Sequence, residues 1–120
     1  MRPLGYTTLE ESKQLIKCGL DKNTADMVYS DGYEYPDVLV NSWNECFSAT
    51  SGRVEEDHTP CWSLGALVKQ LPHMVNFYGF PLYLNMSKDS VAYSVKEFDK
   101  GECLIESVID ALLWVLQKRR

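Results

Sequence analysis

The residues of this chain with the most chemistry to offer are its two histidines and four cysteines, and His58 and Cys61 form an H-x-x-C pair. Cys46 or His73 can be added as a third ligand, and zinc accepts every one of these donor types. A zinc site that can be read from sequence has two tight ligand pairs, and only one is present. The Pro60-Cys61 step resembles half of a zinc deaminase signature, yet neither H-x-E nor P-C-x-x-C occurs. The expectation is no metal, with His58 and Cys61 the candidates if one binds. Cys46 with His58 is the other meaningful pairing, because a nearby imidazole can act as base to a thiol nucleophile. No catalytic signature surrounds it in Trp43-Asn44-Glu45-Cys46-Phe47. Glu106 and Asp110, one helical turn apart, can share a proton or a hard cation, though a solvated helix face is the better account of them. GxxxxGK[ST], GxGxxG and GxSxG are all absent. No catalytic residue and no cofactor is assigned.

Aromatic residues carry a different kind of signal. Tyr29, Tyr33 and Tyr35 crowd one stretch, and strand alternation would put all three on one face. Rings with polar rims are what protein interfaces use, so these three tyrosines are the candidate partner-binding residues. Trp62 lies just outside a helix cap, and Trp114 falls among Glu106, Ser107 and Asp110 on the polar side of its helix. Both are expected to be buried, Trp114 by the first helix and first hairpin folding over it.

Charge narrows the classes further. A net charge of −5 opposes nucleic-acid binding, which needs a basic stripe to neutralise phosphates. The one basic cluster, Lys118-Arg119-Arg120, suits the C-terminal end of a helix. The most apolar run, Leu104 to Leu116, contains Glu106 and Asp110 and is too short to span a bilayer. The opening MRPLGYTTLEESK lacks the apolar core of an export signal. A cytoplasmic protein follows, with no membrane partner and its cysteines as free thiols.

The elements that must position these residues are legible in part. Thr8-Leu9-Glu10-Glu11 is a capping box, and Gly19 ends the first helix with Leu20 closing a Schellman contact. Met27-Val28-Tyr29, Asp31-Gly32 and the stretch to Val40 read as strand, tight turn and weaker strand, with Pro36 marking an edge. Residues 41–59 show no sustained period and are expected to be irregular or mobile, with Trp43 and Phe47 pinning one helical turn and Ser48 to Asp57 exposed. Ser63 caps a short helix with a Leu64, Leu67, Val68, Leu71 stripe that Pro72 ends. Leu82, Leu84 and Met86, a turn over Ser87 to Ser90, then Val91, Tyr93 and Val95 read as a second hairpin. In the last helix, Glu102 to Lys118, the apolar arc holds Leu104, Ile105, Val108, Ile109, Leu112, Val115 and Leu116. That arc is wider than an ordinary surface stripe and needs cover on more than one side. The order predicts an α+β fold in one domain, 1–120. About four strands in antiparallel hairpins pack on a long C-terminal helix, with two shorter helices.

Taken together, the LEESKQLIKCGL helix, the ADMVY strand, PCWSLGALVKQLP, the hairpin and the closing LIESVIDALLWVLQ helix resemble a group of small proteins encoded in prophages and mobile elements of gut bacteria, mainly Bacteroidetes and Firmicutes. The resemblance implies an α+β fold and an origin in phage-related DNA, and transfers no functional residue. The expected function is that of a non-enzymatic accessory protein acting by protein–protein contact, with another protein or with itself. The alternative is a small enzyme or metal-binding domain using Cys46, His58 and Cys61.

Overall fold

A Thr8 cap starts the first helix of the computed structural model, which describes residues 5–47, 55–87, 90–94, 96–98 and 104–118. The Thr8 hydroxyl accepts from Glu11 N–H at 3.2 Å while the Glu11 carboxylate accepts from Thr8 N–H at 2.9 Å, so helix α1 (Leu9–Lys17) opens on a closed capping box. It ends on Gly19 at φ 102°. Leu20 N–H reaches Leu15 C=O and Gly19 N–H reaches Ile16 C=O, each at 3.0 Å, the paired bonds of a Schellman motif.

The fold is α+β, and all its strand pairs are antiparallel. The sequence reading takes the chain as one domain; within it, contacts group into two compact units, Tyr6–Ala66 and a second that starts at Leu67. In the first unit, β1 (Met27–Ser30) lies between β2 (Asp37–Val38) and β3 (His58–Cys61), and α1 packs on β3. The single-turn helix α2 (Trp43–Cys46) is capped by Ser42 and pinned as expected: Trp43 is buried and its ring lies 4.4 Å from Phe47. Strand β3 reaches into the end of the segment 41–59, which is expected to be irregular or mobile apart from the Trp43–Phe47 turn. Pairing with β1 orders its start, and residues 48–54 of that segment lie outside the described residues.

Ser63 caps α3 (Leu64–Gln70) by accepting from Ala66 N–H at 3.2 Å, and is itself held by Asp26, which accepts from Ser63 N–H and O–H. Of the predicted stripe, Leu67 and Leu71 are buried while Leu64 and Val68 are half-buried. The second unit orders β4 (Met74–Phe77), β5 (Phe80–Met86), β6 (Val91–Tyr93) and β7 (Lys96–Phe98) side by side, with α4 (Leu104–Lys118) against β6 and β7. The predicted hairpin is β5–β6, closed by Ser87 N–H to Ser90 C=O at 3.0 Å. Seven strands among the described residues exceed the four expected, because β3 pairs with β1 some thirty residues earlier and β4 and β7 are short strands returning through tight turns. Strand β6 also ends earlier than its alternation predicts. Ser94 turns to φ 56° and the chain returns as β7, and Val95 lies outside the described residues.

Of the predicted α4 arc, Ile105, Val108, Ile109, Leu112, Val115 and Leu116 are buried and Leu104 is half-buried. Full burial of side chains this size stabilises by about 1.5–3 kcal/mol each before entropy is counted. Trp114 departs from its predicted place. Its half-buried ring lies 6.1 Å from Phe77, 5.8 Å from Tyr93 and 5.7 Å from Phe98, so the second sheet covers it. Ser107 is buried as well. The buried arc is thus wider than hydropathy alone indicates.

Candidate functional site

The sheet of the first unit separates the residues that the H-x-x-C spacing joins. Side chains alternate along a strand, so positions three apart point to opposite faces. His58 stacks on Phe47, 4.8 Å between ring centres, on the face lined by α2. Cys61 faces the other way, fully buried against Thr7. Burial pushes its thiol pKa up, against the smaller opposing effect of the Thr7 contact. His58 and Cys61 therefore do not converge on one point. His73 belongs to the second unit.

Cys46 and His58 share a hollow of about 610 Å³ on one side of the sheet, lined also by Val28, Asp37, Val38 and Glu45. The Cys46 thiol is engaged with the Asn41 carbonyl at 3.7 Å. Among the described residues, no group of three His, Cys, Asp or Glu side chains is placed to hold a metal ion. Glu106 and Asp110 stand on α4, half-buried and exposed respectively.

Beneath the other face lies a small buried polar network. Thr7 and Ser12 are fully buried, 2.7 Å apart through their hydroxyls. Ser12 has Thr8 C=O as an acceptor at 2.8 Å, and the single Thr7 proton has two acceptors in reach, Ser12 Oγ at 2.7 Å and Cys61 Sγ at 3.5 Å. Thr7 in turn accepts Trp62 N–H at 3.1 Å, while its carbonyl accepts the Tyr29 hydroxyl at 2.8 Å. Trp62, fully buried as predicted, places its indole N–H on Thr24 at 2.9 Å. These bonds tie the start of α1 to β3 and β1, and they involve no solvent-facing group.

The tyrosine face divides. Tyr29 is only 8% exposed, whereas Tyr33 and Tyr35 are 72% and 67% exposed. Alternation fails because β1 ends at Ser30: Tyr33 N–H turns back to Ser30 C=O at 3.1 Å, and Gly32 takes φ 83°. Tyr29 is thus core, and the exposed set becomes Tyr33 and Tyr35 with Val38 and Val40 further along the segment.

A second exposed group escapes the sequence reading. Strands β4 and β5 are joined by Tyr78-Gly79, both at positive φ (51° and 86°), the arrangement of a type I′ turn. Tyr78 and Phe80 are exposed at its tip, and Met74 pairs across the ladder with Tyr83 on the outer face. The alternation of Val75 and Phe77 ahead of Gly79 is the signal that was available; a tyrosine where Asn or Asp is usual concealed it.

No protein-family model, no curated protein and no solved structure matches the chain. Among the described residues, no helix is long and apolar enough to cross a membrane.

Proposed function

We propose that this chain is a non-enzymatic accessory protein of a phage or mobile element, acting in the cytoplasm by binding another protein through the segment from Tyr33 to Val40. The observation that carries the binding surface is the exposure of Tyr33, Tyr35, Val38 and Val40 within eight residues. Amphipathic rings beside branched apolar side chains, interrupted by Glu34 and Asp37, match the make-up of a transient interface. Pro36 and the two-residue length of β2 oppose plain sheet extension here, so contact is made by side chains. The non-enzymatic reading is supported by the divergence of His58 and Cys61 and by the burial of Cys61. The phage-related origin rests on the sequence resemblance and is tested by the gene neighbourhood.

The binding experiment is affinity capture from host extract with the wild-type chain and with Tyr33→Ser/Tyr35→Ser side by side. The double variant should lose the retained protein and keep its melting temperature. Equal capture by both, or a large fall in melting temperature, refutes the surface.

A further inference from the structure

The four outer strands of the two sheets are not equally protected. A bare strand edge is a template for another chain, and proteins blunt it with short length, proline, charge or cover. Strand β2 is two residues long and follows Pro36. Strand β3 is covered, since Thr7 N–H bonds Trp62 C=O at 2.9 Å and Tyr6 bridges Ser63. Strand β7 has three residues and begins with Lys96. Strand β4, Met74-Val75-Asn76-Phe77, contains no proline and no charged residue, and no strand or bridge among the described residues covers its outer edge.

The register shows which of its groups are free. Leu84 N–H donates to His73 C=O at 2.8 Å, so 73 and 84 form a bonded pair of the β4–β5 ladder. Bonded and non-bonded pairs alternate in an antiparallel ladder. Val75–Leu82 and Phe77–Phe80 are therefore bonded pairs, and Met74–Tyr83 and Asn76–Pro81 are not. Two observations agree. Tyr83 turns its own backbone away from β4, bonding Ser94 through both N–H (3.0 Å) and C=O (2.9 Å). Pro81, which has no N–H to give, occupies a non-bonded position. The N–H and C=O groups of Met74 and Asn76 consequently point outward. Neither residue has a hydrogen-bond partner among the described residues, and both are exposed.

We propose that this edge pairs with the same edge of a second copy of the chain, extending the four-stranded sheet across a two-fold axis at Val75. The pattern is self-complementary. Antiparallel pairing of Met74 with Asn76 of the second copy joins Met74 N–H to Asn76 C=O and Asn76 N–H to Met74 C=O. The symmetry repeats both, so four bonds form and no outward group of these residues is left over. A copy carrying −5 charge is repelled by another, but β4 and the residues facing Met74 and Asn76 across the ladder, Tyr83 and Pro81, carry no charge. Met74 and Tyr83, 46% and 59% exposed, supply apolar area beside the joint. An interface this small belongs to the weak class, so a reversible dimer forms. The surface is separate from Tyr33 and Tyr35 and does not rest on the proposed function.

The test is sedimentation velocity of the full chain over a concentration series, with hydrogen exchange read at single amides. The wild type should pass from monomer to dimer, with the Met74 and Asn76 amides slowing as dimer accumulates. Asn76→Pro removes only an outward N–H, which an edge strand tolerates, and deletes two of the four bonds. It should weaken dimerisation by about 10- to 100-fold. Met74→Lys, at an already exposed position, should do so by setting charges near the axis. Tyr33→Ser/Tyr35→Ser should leave the dimer unchanged. A chain that stays monomeric throughout overturns the proposal. So does a dimer that neither edge variant shifts, or one in which the Met74 and Asn76 amides exchange as in the monomer.

Discussion

Replacing Thr7 by valine keeps nearly the same shape and deletes one hydroxyl from the buried network joining α1 to β3. That hydroxyl is the acceptor of Trp62 N–H at 3.1 Å and shares hydrogen bonds with Ser12 at 2.7 Å and the Cys61 thiol at 3.5 Å. A buried donor left without an acceptor costs about 1–3 kcal/mol, and the lost net value of an ordinary bond is about 0.5–1.5 kcal/mol. Ser12 keeps its own bond to Thr8 C=O, so its loss is the smaller part. The expected total is about 2–3 kcal/mol. Tyr29→Phe provides the internal comparison. It removes the hydroxyl bonded to Thr7 C=O, but that carbonyl is still met by the Cys61 thiol at 3.4 Å. Its cost should stay at about 0.5–1.5 kcal/mol, below that of Thr7→Val. Thr7→Ser keeps the hydroxyl and should lose only about 1 kcal/mol for a buried methyl. The assay is urea unfolding followed by tryptophan fluorescence, with midpoints compared at unchanged slope. Thr7→Val costing under about 0.5 kcal/mol, or less than Tyr29→Phe, would refute the view that Trp62 N–H depends on Thr7.

The remaining expectations draw on other parts of the molecule. Leu112→Ala and Leu67→Ala remove side chains with almost no exposure and should each cost about 2–5 kcal/mol in chemical denaturation; a value near zero for either would mean its neighbours collapse into the space. In the native protein Cys61 should resist iodoacetamide while the half-buried Cys18 and Cys46 react, with mass mapping as the readout; equal labelling would contradict its burial. Glu55 accepts the Trp43 indole N–H at 2.9 Å and the Lys22 ammonium at 3.0 Å, which together hold its carboxyl below the usual carboxylate range. A lowered folded pKa contributes stability that is present above the unfolded value and lost as pH falls through the folded one. Glu55→Gln should therefore flatten the acid limb of the melting-temperature profile, and superimposable limbs would remove Glu55 from the account.

What could be read from the sequence was what neighbours along the chain decide. The capping box at Thr8, the Gly19 stop, the Trp43–Phe47 pin and the Ser87–Ser90 turn each involve residues within a few positions of one another, and each is present. Strand β3 was hidden because Pro60 breaks its pattern and its partner β1 lies some thirty residues earlier. The candidate site was legible only in outline. A run of tyrosines marked a segment that is exposed in part, but where β1 ends decides which rings face solvent, and the bond that ends it is a backbone one.

Two further misreadings share a physical cause. Trp114 was put on the polar side of its helix because Glu106, Ser107 and Asp110 are its neighbours on the helical wheel. Strand β4 was missed because Tyr78 is a poor choice for a left-handed turn position. A wheel compares residues only along their own helix, and turn statistics only within a turn. Phe77 brings the two together. It sits beside the Tyr78-Gly79 turn, points to the α4 side of the sheet and meets Trp114 there, 6.1 Å between ring centres. Contact across elements fixes one flank of β4 against the last helix and leaves the other flank, with Met74 and Asn76, unpaired and exposed. The same packing that half-buries Trp114 therefore holds β4 in place, and with it the edge proposed to pair.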